Sequence, residues 1–293
     1  MNWKQLDIAV VGGDEREREI ARLAAETGAR VRAFGFPWPD GGIAGVDLAA
    51  DARAALDGAD FALFPIPGMG SDGSLFATET IVPDADLLSA LKAGAHIIMG
   101  TADAGVKAAA SDLGLGLHEY ESDQELMLLR MPAIVEAAIR VVIENTEVTI
   151  HKSAIGVVGY GNTGGMLTRT LVVLGAEVHL FARNPVQRAA AHGLGAETHP
   201  LEELPGIAPT LDILLSTVPA PVVTAAVLDA LPRHAFVADL SAPPGGVDLD
   251  HARAIDLKAV WARALGRRAP VTVGASQWKG IRERIEKIMG DAQ

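Results

Sequence analysis

The run Ala154-Ile155-Gly156-Val157-Val158-Gly159-Tyr160-Gly161-Asn162-Thr163-Gly164 carries the strongest chemical signal in the chain. An apolar strand pattern enters glycines at Gly159, Gly161 and Gly164, and a helical pattern follows. In that context the first glycine permits a tight turn, the second lets backbone approach a pyrophosphate, and the third lets helix and strand pack closely. The helix start then offers free N–H groups and a partial positive charge to phosphate. Gly159 to Gly164 are therefore candidate cofactor-binding residues, with Tyr160, Asn162 and Thr163 between the glycines.

The next strand pattern, Glu177 to Phe181, ends at a tip made of Ala182, Arg183 and Asn184, with Arg188 one turn later. A site built for NAD places Asp or Glu about 20 residues past the glycines, on the ribose 2′-hydroxyl. A carboxylate would repel a 2′-phosphate, whereas a guanidinium attracts it and binds it in bidentate fashion. The tip therefore predicts NADP; the alternative is that Arg183 is a solvated loop residue. Further along, Thr217-Val218-Pro219 and Asp239-Leu240-Ser241 end strands where the rest of a dinucleotide would pass, and they join the candidate cofactor contacts.

In the first half, Gly12-Gly13-Asp14 with Arg16 closes the first strand and lacks the third glycine of a nucleotide turn. Two readings stay open there. Asp14 caps the following helix, or the Gly12 and Gly13 amides and Arg16 hold a substrate carboxylate. His118, Glu119, Glu136 and Lys152 are candidate proton-transfer residues, His most readily at neutral pH, although a lone histidine is more often structural.

Strand and helix patterns alternate along the whole chain, which predicts parallel sheets built from βαβ units. Strands are expected at residues 7–11, 30–34, 61–64, 96–99 and 115–120, then at 155–158, 178–181, 213–216, 236–239 and 259–261. The fold class expected is α/β, with two doubly wound, Rossmann-like domains joined by a long helix. The first domain (1–122) reads as flavodoxin-like and substrate-binding, the joining helix as 123–150, the nucleotide domain as 151–275, and a charged terminal helix as 276–293. Ligands in such sheets sit beyond the carboxyl ends of the strands.

Composition narrows the function classes. With 293 residues and 49% hydrophobic residues the chain can bury a large core. The formal charge of −12, with no basic run, argues against nucleic acid. The absence of cysteine removes disulfides, thiol nucleophiles and cysteine-held metals, and the scattered histidines predict no metal. The apolar stretch 126–143 carries Arg130, Glu136 and Arg140, which argues against a membrane span. The amino terminus reads directly into a strand without a secretory pattern. The chain is expected to be soluble and cytoplasmic.

Taken together, these segments resemble the A-subunit family of dipicolinate synthase. The likeness runs through Gly12-Gly13-Asp14 with Arg16, Asp72-Gly73, Glu136-Ala137-Ala138-Ile139, Thr149 to Ser153, Val158 to Gly164, Ala182-Arg183 and Ser216 to Pro219. It continues through Asp239 to Ser241, Pro244 to Asp248, and Ala269-Pro270 with Gly274. The chain departs from the family pattern at Ala242-Pro243, at Arg263 to Gly266, where Arg267 and Arg268 follow, and at Ala133 to Val135. The resemblance implies an NADP-dependent oxidoreductase. It would form pyridine-2,6-dicarboxylate from a tetrahydrodipicolinate-type precursor by hydride transfer, together with the flavoprotein-like B-subunit of the synthase, in sporulating bacteria. Arg16 with the Gly12 and Gly13 amides would hold one carboxylate, and Lys152 or Arg267 the other. Two alternatives remain, a 2-hydroxyacid dehydrogenase-like enzyme and an NADP-binding sensor or scaffold without turnover. The apolar joining helix points to a homo-oligomer.

Overall fold

The computed structural model describes residues 2–291. The chain forms two compact units, one running to Arg130 and completed by the segment from Ala269 onward, the other spanning Met131–Arg268. Each is built on a six-stranded sheet in which every neighbouring pair is parallel.

In the first unit the strands are β1 (Asp7–Val11), β2 (Arg30–Phe34), β3 (Val46–Leu48), β4 (Phe61–Leu63), β5 (His96–Met99) and β6 (Gly116–Glu119), in the order β3-β2-β1-β4-β5-β6. Ile8, Ala9, Val10 and Val11 of β1 and Ile97, Ile98 and Met99 of β5 are all buried. Such unbroken apolar runs are what a parallel sheet covered on both faces demands. The flavodoxin-like order expected for this unit is corrected. Without β3 the order would be 2-1-3-4-5, the flavodoxin arrangement; β3 adds a strand outside β2, through the pairing Val31↔Val46, and makes the order 3-2-1-4-5-6. Helix Glu15–Glu26 is packed by the terminal helix Pro270–Asp291, which buries Val273, Trp278, Ile281 and Ile285. That terminal helix starts six residues before the expected Ser276.

In the second unit β7 (Ala154–Val158), β8 (Glu177–Phe181), β9 (Glu197–His199), β10 (Ile213–Ser216), β11 (Phe236–Asp239) and β12 (Ala259–Trp261) lie in the order β12-β11-β10-β7-β8-β9. Counted from β7, this is again the doubly wound dinucleotide-binding order. The helix Gln124–Asn145 begins in the first unit and ends in the second, where Val135, Ala138 and Val142 enter the core beside Ile155, Val157, Leu167 and Leu171. Among the described residues no helix is long and apolar enough to cross a membrane.

Candidate functional site

Each fingerprint glycine has its own physical reason. Gly159 sits at φ +96°, and a Cβ there would lie 2.6 Å from Thr217 Oγ1. A Cβ on Gly164 would lie 2.1 Å from the Gly159 carbonyl oxygen, so only glycine lets helix Asn162–Val173 come this close to the turn. At Gly161 the backbone is ordinary, φ −80°, and a Cβ would meet nothing within 4 Å. Gly161 is also the N-cap, with no side-chain cap, and no acidic residue occupies the first turn. The first amides of this helix have no acceptor within the helix itself, and a side chain at Gly161 would enter open space. Buried Leu167 and Leu171 anchor this helix, and the Thr163 hydroxyl reaches Met131 Sδ at 3.5 Å.

At the tip of β8, Ala182 is buried and its N–H donates to the His199 carbonyl. Asn184 caps the next helix by accepting from the Val186 amide at 2.8 Å. Arg188 donates to the carbonyls of Ala182 (2.7 Å) and Arg183 (2.9 Å), which makes it a buttress for the tip rather than a phosphate ligand. Arg183 is exposed, and its side chain makes no hydrogen bond or ion pair among the described residues. No carboxylate stands between 182 and 188.

The carboxyl ends of β10 and β11 are built around Asp239, which is buried. One carboxylate oxygen accepts from the Ser241 amide (3.0 Å) and hydroxyl (2.6 Å), the other from the amides of Gly246 (2.7 Å) and Val247 (3.2 Å). The Leu240 amide donates to Ser216, and Trp261 Nε1 donates to the Ser241 carbonyl. Asp239 and Ser241, expected as cofactor contacts, thus have their polar side chains committed to shaping the loop. Thr217 is tied to Val158 by its amide and hydroxyl, both at 2.9 Å, and with Val218 forms the floor under Gly159. Pro219 follows, exposed. Arg267 is exposed in the turn Leu265–Arg268, on the chain leaving the carboxyl end of β12.

The first unit overturns the expected carboxylate site. Gly12 N–H donates to the Phe34 carbonyl and Gly13 N–H to Phe76, so neither amide is left for a ligand. Asp14 caps helix Glu15–Glu26, and Arg16 forks onto it through Nε (2.8 Å) and Nη2 (2.7 Å). The carboxylate Arg16 holds is the chain's own. Glu17 closes the capping box on the Asp14 amide (2.7 Å) and also accepts from the Ile66 amide (2.9 Å).

Sequence reasoning passed over Glu17, because only the fold buries it. Burial foremost pushes its pKa from 4.5 up to about 7, with Asp14 adding and Arg16 opposing. The sign follows by linkage. The folded chain binds this proton more tightly than the unfolded one, so Glu17 favours folding below pH 4.5 and that contribution is lost as pH rises to about 7. The loss is on the order of 3 kcal/mol. A carbon-detected NMR titration of the Glu17 carboxyl should find its midpoint near neutrality; a midpoint at an ordinary carboxylate value would refute this.

Each of the four candidate proton-transfer residues has a structural setting within its own unit. Glu119 accepts from the Ala102 amide (2.8 Å) and pairs with Lys107 (3.1 Å), and these contacts lower its pKa, the amide first. His118 reaches back along the sheet to His96, Nε2 to Nδ1 3.2 Å, and burial lowers its pKa. Glu136 pairs with Arg268 at 2.9 Å. Lys152 occupies a left-handed turn (φ +65°) before β7. A five-residue strand, about 16 Å long, separates it from the carboxyl edge where ligands bind.

Comparison with known proteins agrees with this architecture. Residues 7–121 match the model of the N-terminal domain of the dipicolinate synthase A-subunit. The chain is 29% identical over 273 residues to the dipicolinate synthase A-subunit of Bacillus subtilis (strain 168), covering 92% of each. It is similar to the crystal structure of the dipicolinate synthase A-subunit from Bacillus halodurans, with a TM-score of 0.84 and 27% identity over 94% of this chain and 96% of that one. A transhydrogenase from Sinorhizobium meliloti shares the fold, with a TM-score of 0.70 and 17% identity over 96% of this chain and 94% of that one.

Proposed function

We propose that the chain is a member of the A-subunit family of dipicolinate synthase, which its N-terminal match and its likeness along nearly the whole chain support, and that it is an oxidoreductase that takes NADP on its second unit. The observation that carries the reading is the turn at Gly161, where an uncapped helix start meets open space while Gly159 and Gly164 are packed tight. The amides beyond Gly161 would hold the pyrophosphate, and Arg183 the 2′-phosphate. Thr217, Val218 and the loop braced by Asp239 would shape the path toward the nicotinamide.

The substrate proposed is a partly reduced pyridine-2,6-dicarboxylate of the tetrahydrodipicolinate type. When bound, each coenzyme would accept one hydride while one proton leaves, so a dihydro ring needs one such two-electron oxidation to become aromatic and a tetrahydro ring needs two, each with its own NADP. The protein's task is then to position the ring and neutralise two carboxylates. Arg267, exposed beyond the carboxyl end of β12, is proposed for one of them. Proton removal is assigned to none of His118, Glu119, Glu136 and Lys152, for the reasons given above. A flavoprotein-like partner of the B-subunit type, a homo-oligomeric state and a cytoplasmic setting belong to the same reading.

Calorimetry of the purified chain with each coenzyme tests it, followed by turnover with tetrahydrodipicolinate. Binding of NADP at least about tenfold tighter than NAD, and NADPH formation with substrate, are expected. No heat with either coenzyme would sink the proposal.

A further inference from the structure

β9 is a short edge strand without an apolar run, and it brings together residues that are far apart in the sequence. Parallel pairing sets His179 beside Glu197 and Phe181 beside His199, so alternate residues of two strands share one face. His179 Nδ1 and His199 Nε2 are 3.2 Å apart. Glu197 brackets both, with Oε2 3.6 Å from His179 Nδ1 and Oε1 3.8 Å from His199 Nε2. One ligand atom from each of the three residues lies within 4.8 Å of the others. A tetrahedral ion with ligands at about 2.0–2.1 Å sets its ligand atoms about 3.3 Å apart, close to these separations.

Two further features hold the imidazoles ready. The His199 ring stacks on Phe181 (5.1 Å, 27°) and on His179 (5.4 Å, 22°). Glu203 Oε2 lies 3.3 Å from His199 Nδ1. A carboxylate there takes the Nδ1 proton and leaves Nε2 with its lone pair, as outer-shell carboxylates do for metal-bound histidines.

The first unit supplies a built-in comparison. His96 and His118 also approach to 3.2 Å, with His96 stacked on Phe61. The charge near that pair is Arg284, and no carboxylate lies within ion-pair distance of it among the described residues. It is a plain imidazole pair.

We propose that His179, Glu197 and His199 bind a divalent metal ion of the zinc class, oriented by Glu203, with water completing the coordination. The ion ties edge strand β9 to β8 just behind the Ala182–Arg183 tip. This site is independent of the nucleotide proposal, and its test needs no coenzyme.

The full chain, stripped with a chelator, is titrated with zinc alone by calorimetry, with melting followed in parallel. One equivalent should bind and raise Tm, and binding should weaken under mildly acidic conditions as protons compete for the imidazoles. Glu197 is exposed, so Glu197→Gln should leave the metal-free Tm unchanged while lowering zinc affinity about tenfold or more. His199→Ala should abolish binding, and should it fail to fold, Glu197→Gln carries the test by itself. His96→Gln should bind zinc as the parent does. No binding at about 100 µM zinc, undiminished binding by Glu197→Gln, or loss in His96→Gln alone would each overturn the assignment.

Discussion

Gly161→Ala is expected to keep the protein folded and to lose about 30-fold in affinity for NADP, a change of about 2 kcal/mol. Its Cβ would point into space that holds no protein atom within 4 Å, at a backbone angle alanine adopts freely. The cost to the free protein is the difference between glycine and alanine at an N-cap, about 0.5–1 kcal/mol. Gly164→Ala is the contrasting case. Its Cβ would lie 2.1 Å from the Gly159 carbonyl oxygen, and backbone cannot swing aside as a long side chain does. Overpacking of about 1–3 kcal/mol should then lower Tm and affinity together. Melting curves and calorimetry on the two variants separate the cases. Unchanged affinity in folded Gly161→Ala would mean that no pyrophosphate rests there.

The second large effect is expected at Arg183. Reversing its charge as Arg183→Asp should cost about 100-fold in NADP affinity and leave NAD affinity equal or better. Charge-assisted hydrogen bonds to the 2′-phosphate are each worth about 1.5–3 kcal/mol, and a carboxylate in their place repels the phosphate. Position 183 is the right one to change, because Ala182 is only 4% exposed and a carboxylate there would be buried. With its guanidinium exposed and unpaired, Arg183 should be replaceable without altering Tm. An NADP-to-NAD preference that survives the exchange would remove Arg183 from the site.

The sequence made the central strands legible and the edges not. β1, β5 and β10 are each an apolar run with one polar end residue (Asp7, His96 and Ser216), and their predicted bounds match the observed ones residue for residue. β3 and β9 are three-residue edge strands with polar members, Asp47 in one and Glu197 and His199 in the other, so no run marked them. The early turns of the terminal helix escaped for a different reason. Val271, Thr272, Val273 and Gly274 are poor helix formers, yet Gly274 is there because a Cβ would come within 2.6 Å of the Arg16 carbonyl oxygen. Such a reason belongs to tertiary packing.

The same distinction divides the candidate site. The fingerprint was readable because a turn that tight leaves backbone little choice of residue. Arg16 was misread because a guanidinium beside glycines serves an outside carboxylate and an inside one equally well in a string of letters; only the fold discloses that Asp14 is its partner. Glu17 and the His179–Glu197–His199 group draw their chemistry from burial and cross-strand neighbours, which lie 49 and about 20 positions away along the chain.

The division of the chain bears on how the protein is made. The second unit is continuous, Met131–Arg268, while the first awaits Pro270–Asp291, the helix that lies along Glu15–Glu26. Translation proceeds from the amino end and domains fold as units. The second unit is therefore fully synthesised while the first still lacks that helix, so β1 and β2, made earlier, are enclosed later.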